Sequence, residues 1–150
     1  MKDYPKIATE LFLSGYNCAQ AVLCAFSDVT NLDVDLSKKI ASSFGGGMGR
    51  MRQVCGAVSG MLLVLGIVLG YTDTVDTTDK TTHYKLVQDK MNAFIEKYDS
   101  VICSQLIKSK DTSYVPSPRC QEYYQSRPCA KFVWYCAQLV QEELQKQGKI

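Results

Sequence analysis

The sequence is short of several residue types on which familiar chemistries depend. It has one histidine, one tryptophan and four prolines in 150 residues. The lone His83 supports no Ser-His-Asp arrangement, and its place early in a polar helical stretch reads as a surface position. Excess charge is missing too: 17 basic and 15 acidic residues leave a net +2. Basic residues gather in nothing larger than a short pair such as Arg50 with Arg52, so there is no electrostatic footprint for nucleic acid or an acidic membrane. No Cys-x-x-Cys pair is present, which excludes zinc-ribbon and thioredoxin patterns, and no Cys-x-x-Cys-His, which excludes covalent haem attachment. The glycines at 45–49 are not followed by Gly-Lys-Ser/Thr, so they form no P-loop. Asp73, Asp76 and Asp79 lack EF-hand spacing. The N-terminus, Met1 to Lys6, has no apolar core or cleavage signal, and a cytoplasmic location is expected. The longest apolar run, Val54 to Gly70, falls about one turn short of a ~20-residue membrane span. It is therefore expected as a buried central helix, with no membrane insertion.

What remains is an ordinary globular composition, 46% hydrophobic and 21% charged, over a length that suits one domain, residues 1–150. Strand-like alternation is scarce and helical spacing is common. The expected fold is all-α, a compact multi-helix bundle around a buried central helix at about 54–69. The first helix is expected over Tyr4 to Leu13. A second, capped by Asn17, is expected from Cys18 to about Asp28, and a third, capped by Asp35, from Leu36 to Phe44 with Ile40 and Phe44 inward. Gly45 to Gly49 predicts a flexible or φ-positive loop. After the central helix, a long helix from Thr77 to Tyr98 is expected to turn Tyr84, Val87, Met91, Phe94 and Ile95 inward. A shorter helix carries Cys103, Ser109 to Ser117 reads as loop, and Pro128 marks the start of the last helix, Cys129 to Gln147.

Seven cysteines stand out: Cys18, Cys24, Cys55, Cys103, Cys120, Cys129 and Cys136. In a reducing compartment such thiols act more often as ligands or redox groups than as bridges. Cys18, Cys55, Cys103 and Cys129 each fall in or near the first turn of an expected helix. Unpaired N–H groups and the helix dipole there favour thiolate and lower the cysteine pKa. Four thiolates together repel, so a metal, an iron–sulfur cluster or oxidation to disulfides must neutralise them. Cys24 and Cys136 lie at helix-interior positions and read as core packing. Cys120 lies in a loop and has no assigned role. Arg50 and Arg52 either offset the charge of the site or are solvated surface residues.

The segment Phe44 to Gly60, a glycine-rich loop followed by Cys55-Gly56-Ala57-Val58-Ser59-Gly60, resembles the C_GCAxxG_C_C family of redox-active bacterial proteins. Cys18-Ala19-Gln20-Ala21-Val22, Cys103-Ser104-Gln105-Leu106 and Cys129-Ala130-Lys131-Phe132-Val133 resemble that family's first, third and fourth cysteine contexts. The likeness covers nearly the whole chain. It implies a redox-active centre with an iron–sulfur cluster on Cys18, Cys55, Cys103 and Cys129, without covalent haem. A similar domain occurs in split-Soret cytochromes. The chain departs from the pattern in carrying three further cysteines.

Three functions stay open at this level. One is electron transfer through a metal or iron–sulfur centre on the four cysteines, serving a redox partner protein. The second is thiol–disulfide exchange or redox sensing by the same residues. The third is a helical adaptor whose cysteines are only core. A homodimer is a further expectation, from many apolar and aromatic residues on few helices.

Overall fold

The computed structural model describes residues 1–150 and is all-α. Helices α1 (Tyr4–Leu13), α2 (Cys18–Ala25), α3 (Ser27–Thr30) and α4 (Val34–Ala41) lead through a 3₁₀ turn (Ser42–Phe44) into a tight turn, α5 (Gly45–Met48). Then come α6 (Gly56–Leu69), α7 (Thr78–Tyr98), the short α8 (Cys103–Ile107) and α9 (Gln121–Ser126), and finally α10 (Cys129–Lys146). The only β-pairing is an isolated antiparallel bridge between Val54 and Ile102.

Local chemistry sets the helix starts. The Asp3 carboxylate accepts from the Lys6 amide at 3.1 Å to open α1. Asn17 and Gln20 form a reciprocal capping box on α2: the Gln20 amide donates to Asn17 Oδ1 at 2.8 Å, and the Asn17 amide donates to Gln20 Oε1 at 3.1 Å. Pro128 stands immediately before α10. α6 has no polar cap, and the residue at its capping position is Cys55. Asp33, not Asp35, caps α4 by accepting from the Leu36 amide at 2.8 Å, so that helix begins two residues before the expected Leu36.

The centre of the fold is a pair of helices, α2 and α6, rather than α6 alone. Ala19 and Ala21 to Ala25 are all buried, and α2 packs against α1, α4, α6 and α10. Gly60 makes the pairing close. A Cβ there would stand 2.8 Å from the Ala19 carbonyl oxygen and 2.9 Å from Val22 Cβ. The expected continuation of α2 to Asp28 breaks at Phe26, which turns fully inward and stacks on Tyr4 with ring centroids 4.4 Å apart. Truncating Phe26 to alanine removes that packing at a cost of about 3–5 kcal/mol.

Two apolar faces differ from expectation. α4 packs through its small residues, Ser37 and Ala41, which leaves Ile40 37% exposed. α7 is held mainly at its C-terminal end, where Phe94 and Tyr98 join Phe132 and Tyr135 in an aromatic cluster. Phe94 is the one fully buried residue of α7, whereas Tyr84 and Ile95 are exposed. Tyr84 instead meets Tyr71, with their hydroxyls 3.2 Å apart. The second half of α6 is also less enclosed than expected, with Ile67 41% exposed. No helix is long and apolar enough to cross a membrane.

Candidate functional site

The N-terminal ends of α2, α6, α8 and α10 converge, and each brings a cysteine. Cys18, Cys103 and Cys129 are the first residues of their helices, and Cys55 directly precedes α6. All four line one small chamber of about 40 Å³. The structure thus brings together the four residues that the sequence singles out.

Backbone contacts fix the arrangement. The Cys55 amide donates to the Val101 carbonyl at 2.8 Å, and the Cys103 amide donates to the Gln53 carbonyl at 2.6 Å. These bonds flank the Val54–Ile102 bridge and lock Cys55 to Cys103 across the two loops. Gly56 lets α2 approach, since a Cβ there would lie 3.1 Å from Cys18 Cβ. Gly47 does the same for α8, with Cys103 Cβ 2.7 Å from where its own Cβ would be. The φ-positive loop is present and extends further than its glycines: Gly46, Gly47, Met48, Gly49 and Arg50 all have φ between 61° and 71°. Five successive left-handed residues are costly for L-amino acids, and the glycines lower that cost where the backbone passes Cys103.

Arg52, Arg119 and Arg127 face the same chamber, and no Asp or Glu lines it. Arg52 is only 3% exposed. Its Nη1 points at Cys103 Sγ at 3.8 Å, and its Nε donates to the Asp111 carbonyl at 2.8 Å. Its Nη2 is buried without a partner. Arg52 also has φ +60°, a strained value for a side chain of its size.

The thiols do not behave as helix position alone suggests. Burial pushes Cys55 up to about 12, although the amides of Val58 and Ala57 pull the other way. Burial raises Cys103 as well, against the pull of Arg52. Cys18 is raised well above the ordinary thiol value because its hydrogen bond to Cys129 keeps its proton, and burial adds to this. Only Cys129 is lowered, first by that hydrogen bond and then by Arg127, Arg119 and Arg52, which together outweigh its burial. The expected thiolate character therefore holds for one cysteine of the four. Desolvation decides the matter at Cys55 and Cys103, and the hydrogen bond to Cys129 does so at Cys18.

The remaining cysteines stand apart from the chamber. Cys136 is fully buried and Cys24 is 6% exposed, both inside the packed helices. Cys120 is exposed at the start of α9. His83 lies on α7 beside Tyr71, away from the cysteines. Arg119, Tyr123 and Arg127 are not among the residues that the sequence singles out, although Arg127 stands two positions before Cys129. No three His, Cys, Asp or Glu side chains are set around one point closely enough to hold a metal ion. What the fold brings together is a chamber rather than a finished ligand cage.

Comparison with protein families matches residues 16–143 to the family described as "Putative redox-active protein (C_GCAxxG_C_C)". The chain belongs to the C_GCAxxG_C_C family. No curated protein and no solved structure matches the chain.

Proposed function

We propose that the chain is an electron-transfer protein whose Cys18, Cys55, Cys103 and Cys129 hold an iron–sulfur cluster. The observation that carries this reading is the convergence of four cysteines with three arginines and no carboxylate. The donor set fits the group. Clusters are held by cysteine thiolates, and the chamber offers sulfur with no competing carboxylate or imidazole ligand. Thiolates and cluster bring negative charge, which Arg52, Arg119 and Arg127 offset. Arg52 Nη2, buried and unpartnered, is a donor available to bound sulfur. A cluster bound there supplies one-electron transfer. The chain's own contribution is to gather the sulfurs, surrender their protons on loading, and exclude water with Leu106, Ile107 and Phe132. A reducing, cytoplasmic setting belongs to this proposal, because thiolate ligands persist where cysteines are kept reduced.

Anaerobic purification with iron and sulfide analysis and a visible absorption spectrum tests it. Iron and sulfide in equal amounts, lost in Cys129→Ser and kept in Cys120→Ser, support the proposal. A colourless, iron-free protein after anaerobic reconstitution overturns it.

A second reading has one observation of its own. Cys18 and Cys129 line the same chamber, and of the four cysteines only Cys129 is held toward thiolate, chiefly by Cys18. Joining them as a disulfide releases two electrons and the Cys18 proton to an oxidising partner. Thiol counting at defined redox potentials separates the two readings. Reversible loss of two thiols in wild type, absent in Cys18→Ser, favours exchange.

A further inference from the structure

The cysteine chamber has a wider mouth. Asn17, Gly46, Arg52, Arg119, Tyr123 and Arg127 line both the chamber and an adjoining cleft of about 260 Å³. Arg50, Tyr114 and Ser117 complete the outer wall, away from the sulfurs. Four guanidinium groups therefore face one cleft whose lining contains no Asp or Glu.

Little of this charge is neutralised. Arg50 alone has an ion pair, 3.6 Å from the exposed carboxylate of Asp111. Arg119 donates to the Tyr16 carbonyl at 3.1 Å and the Phe12 carbonyl at 3.4 Å, partners that fix the group without cancelling its charge. It also stacks on the Tyr123 ring at 4.7 Å, and Arg127 lies 4.8 Å from the centre of the same ring. Arg127 has no other polar partner. Arg52 is nine-tenths buried and more, and its Nη2 has no acceptor in the protein. A buried charged donor left unmet is costly, and it adds positive potential where the chamber and the cleft meet. The arginines are held in place by stacking and by carbonyl bonds before any ligand arrives, so little side-chain freedom is lost on binding.

We infer that the cleft binds a small anion through a tetrahedral oxyanion group of the phosphate or sulfonate kind, seated at the mouth of the cysteine chamber. Guanidinium forks match the paired oxygens of such groups. The volume lies just below the ~300–1,000 Å³ of sites for drug-sized ligands, which selects a compact ligand. The arginines are more than counter-charges to a cluster, because Arg50 lines the cleft and not the chamber. The inference does not depend on what the cysteines hold. It adds that whatever small molecule reaches them passes a filter for negative charge.

Calorimetric titration of the reduced, cluster-free protein with inorganic pyrophosphate, at constant ionic strength, tests this. One-to-one saturable binding is expected, weakened at least tenfold in Arg127→Gln and less than twofold in Lys149→Gln, which removes the same charge beyond the end of α10. Arg50→Gln, on the outer wall, replaces Arg127→Gln should the latter lose its native circular dichroism. Saturating pyrophosphate is also expected to slow alkylation of Cys129 by neutral iodoacetamide. Absence of saturable binding overturns the inference, as does equal weakening by Arg127→Gln and Lys149→Gln. Iron and sulfide assays on reconstituted samples keep the two proposals separate: a chain that takes no cluster yet binds pyrophosphate overturns only the first.

Discussion

Replacing Gly47 with alanine probes the architecture of the cysteine chamber through a single methyl group. Gly47 has φ +71°, and the added Cβ would stand 2.7 Å from Cys103 Cβ and 2.8 Å from the Gln53 amide nitrogen. Two costs add. A left-handed backbone costs alanine roughly 1–2 kcal/mol. Crowding costs about 1–3 kcal/mol, since the neighbours are a Cβ and backbone with little freedom to move. Together they reach about 2–5 kcal/mol, which at ~2–4 °C per kcal/mol for a chain of this size lowers Tm by about 4–20 °C. Gly49→Ala is the control. Its φ is +61°, but nothing lies within 4 Å of the added Cβ, so only the backbone cost of about 1–2 kcal/mol applies. Thermal melts of both variants and wild type, followed by circular dichroism under reducing anaerobic conditions, give the comparison. Iron content after reconstitution reports separately on Cys103. Equal Tm values for the two variants refute the close approach of Gly47 to Cys103. Wild-type iron content in Gly47→Ala refutes the claim that this approach sets the chamber.

Other expectations concern the buried thiols and the attachment of α7. Cys136→Ser places an unpartnered hydroxyl in the core and costs about 1–3 kcal/mol, whereas Cys120→Ser, on the surface, stays within ~0.5 kcal/mol; denaturant midpoints measure both, and iron loading is expected to be unchanged in each. Burial holds Cys136 well above the ordinary thiol value near 9, and Cys55 near 12. The native chain keeps protons that the unfolded chain releases, so this stability is complete below pH ~9 and is lost as pH rises beyond it. Urea midpoints of the reduced protein at pH 8 and 10.5 test the sign: a fall at the higher pH, smaller in Cys136→Ala, is expected, and a rise contradicts it. Lys90 pairs with the largely buried Glu143 at 3.0 Å. Burial pushes the Glu143 carboxyl up, but the Gln147 amide and Lys90 ammonium outweigh it and hold the carboxyl below its usual range. Lys90→Met is therefore expected to cost about 2–3 kcal/mol, read as faster hydrogen exchange along α7. In wild type the same loosening is expected as pH falls below ~4.

Much of the architecture is legible because local chemistry marks it. Asn17, Pro128 and the glycine run at 45–49 each set a boundary close to where the structure has it. The four cysteine positions follow from those boundaries. Side-chain direction on the surface helices is less legible. α4 and α7 carry apolar residues on more than one face, and contact through Ser37 and Ala41, or through Phe94 and Tyr98, decides which face turns in. The arginine cleft is not legible at all. Arg119 and Arg127 flank a six-residue helix with no apolar period, and they reach the cysteines only because α9 folds over the N-termini of α2 and α10. Thiol ionisation is misjudged by position for a related reason. A helix end is a local property, whereas burial depends on the whole assembly.

The place of α10 in the fold also has a consequence for how the protein is made. This helix supplies Cys129 and is the surface on which α1 and α6 pack. Cys18 is synthesised 111 positions earlier. At ~5–20 residues per second, roughly 6–22 s pass on the ribosome between the two cysteines. Through that interval Cys18, joined by Cys55 about a third of the way along, has neither its fourth companion nor the helix that shields it. The chamber is thus completed only after α10 has emerged, and the nascent chain passes through a stage in which its earliest thiols are open to oxidants and to stray metal ions.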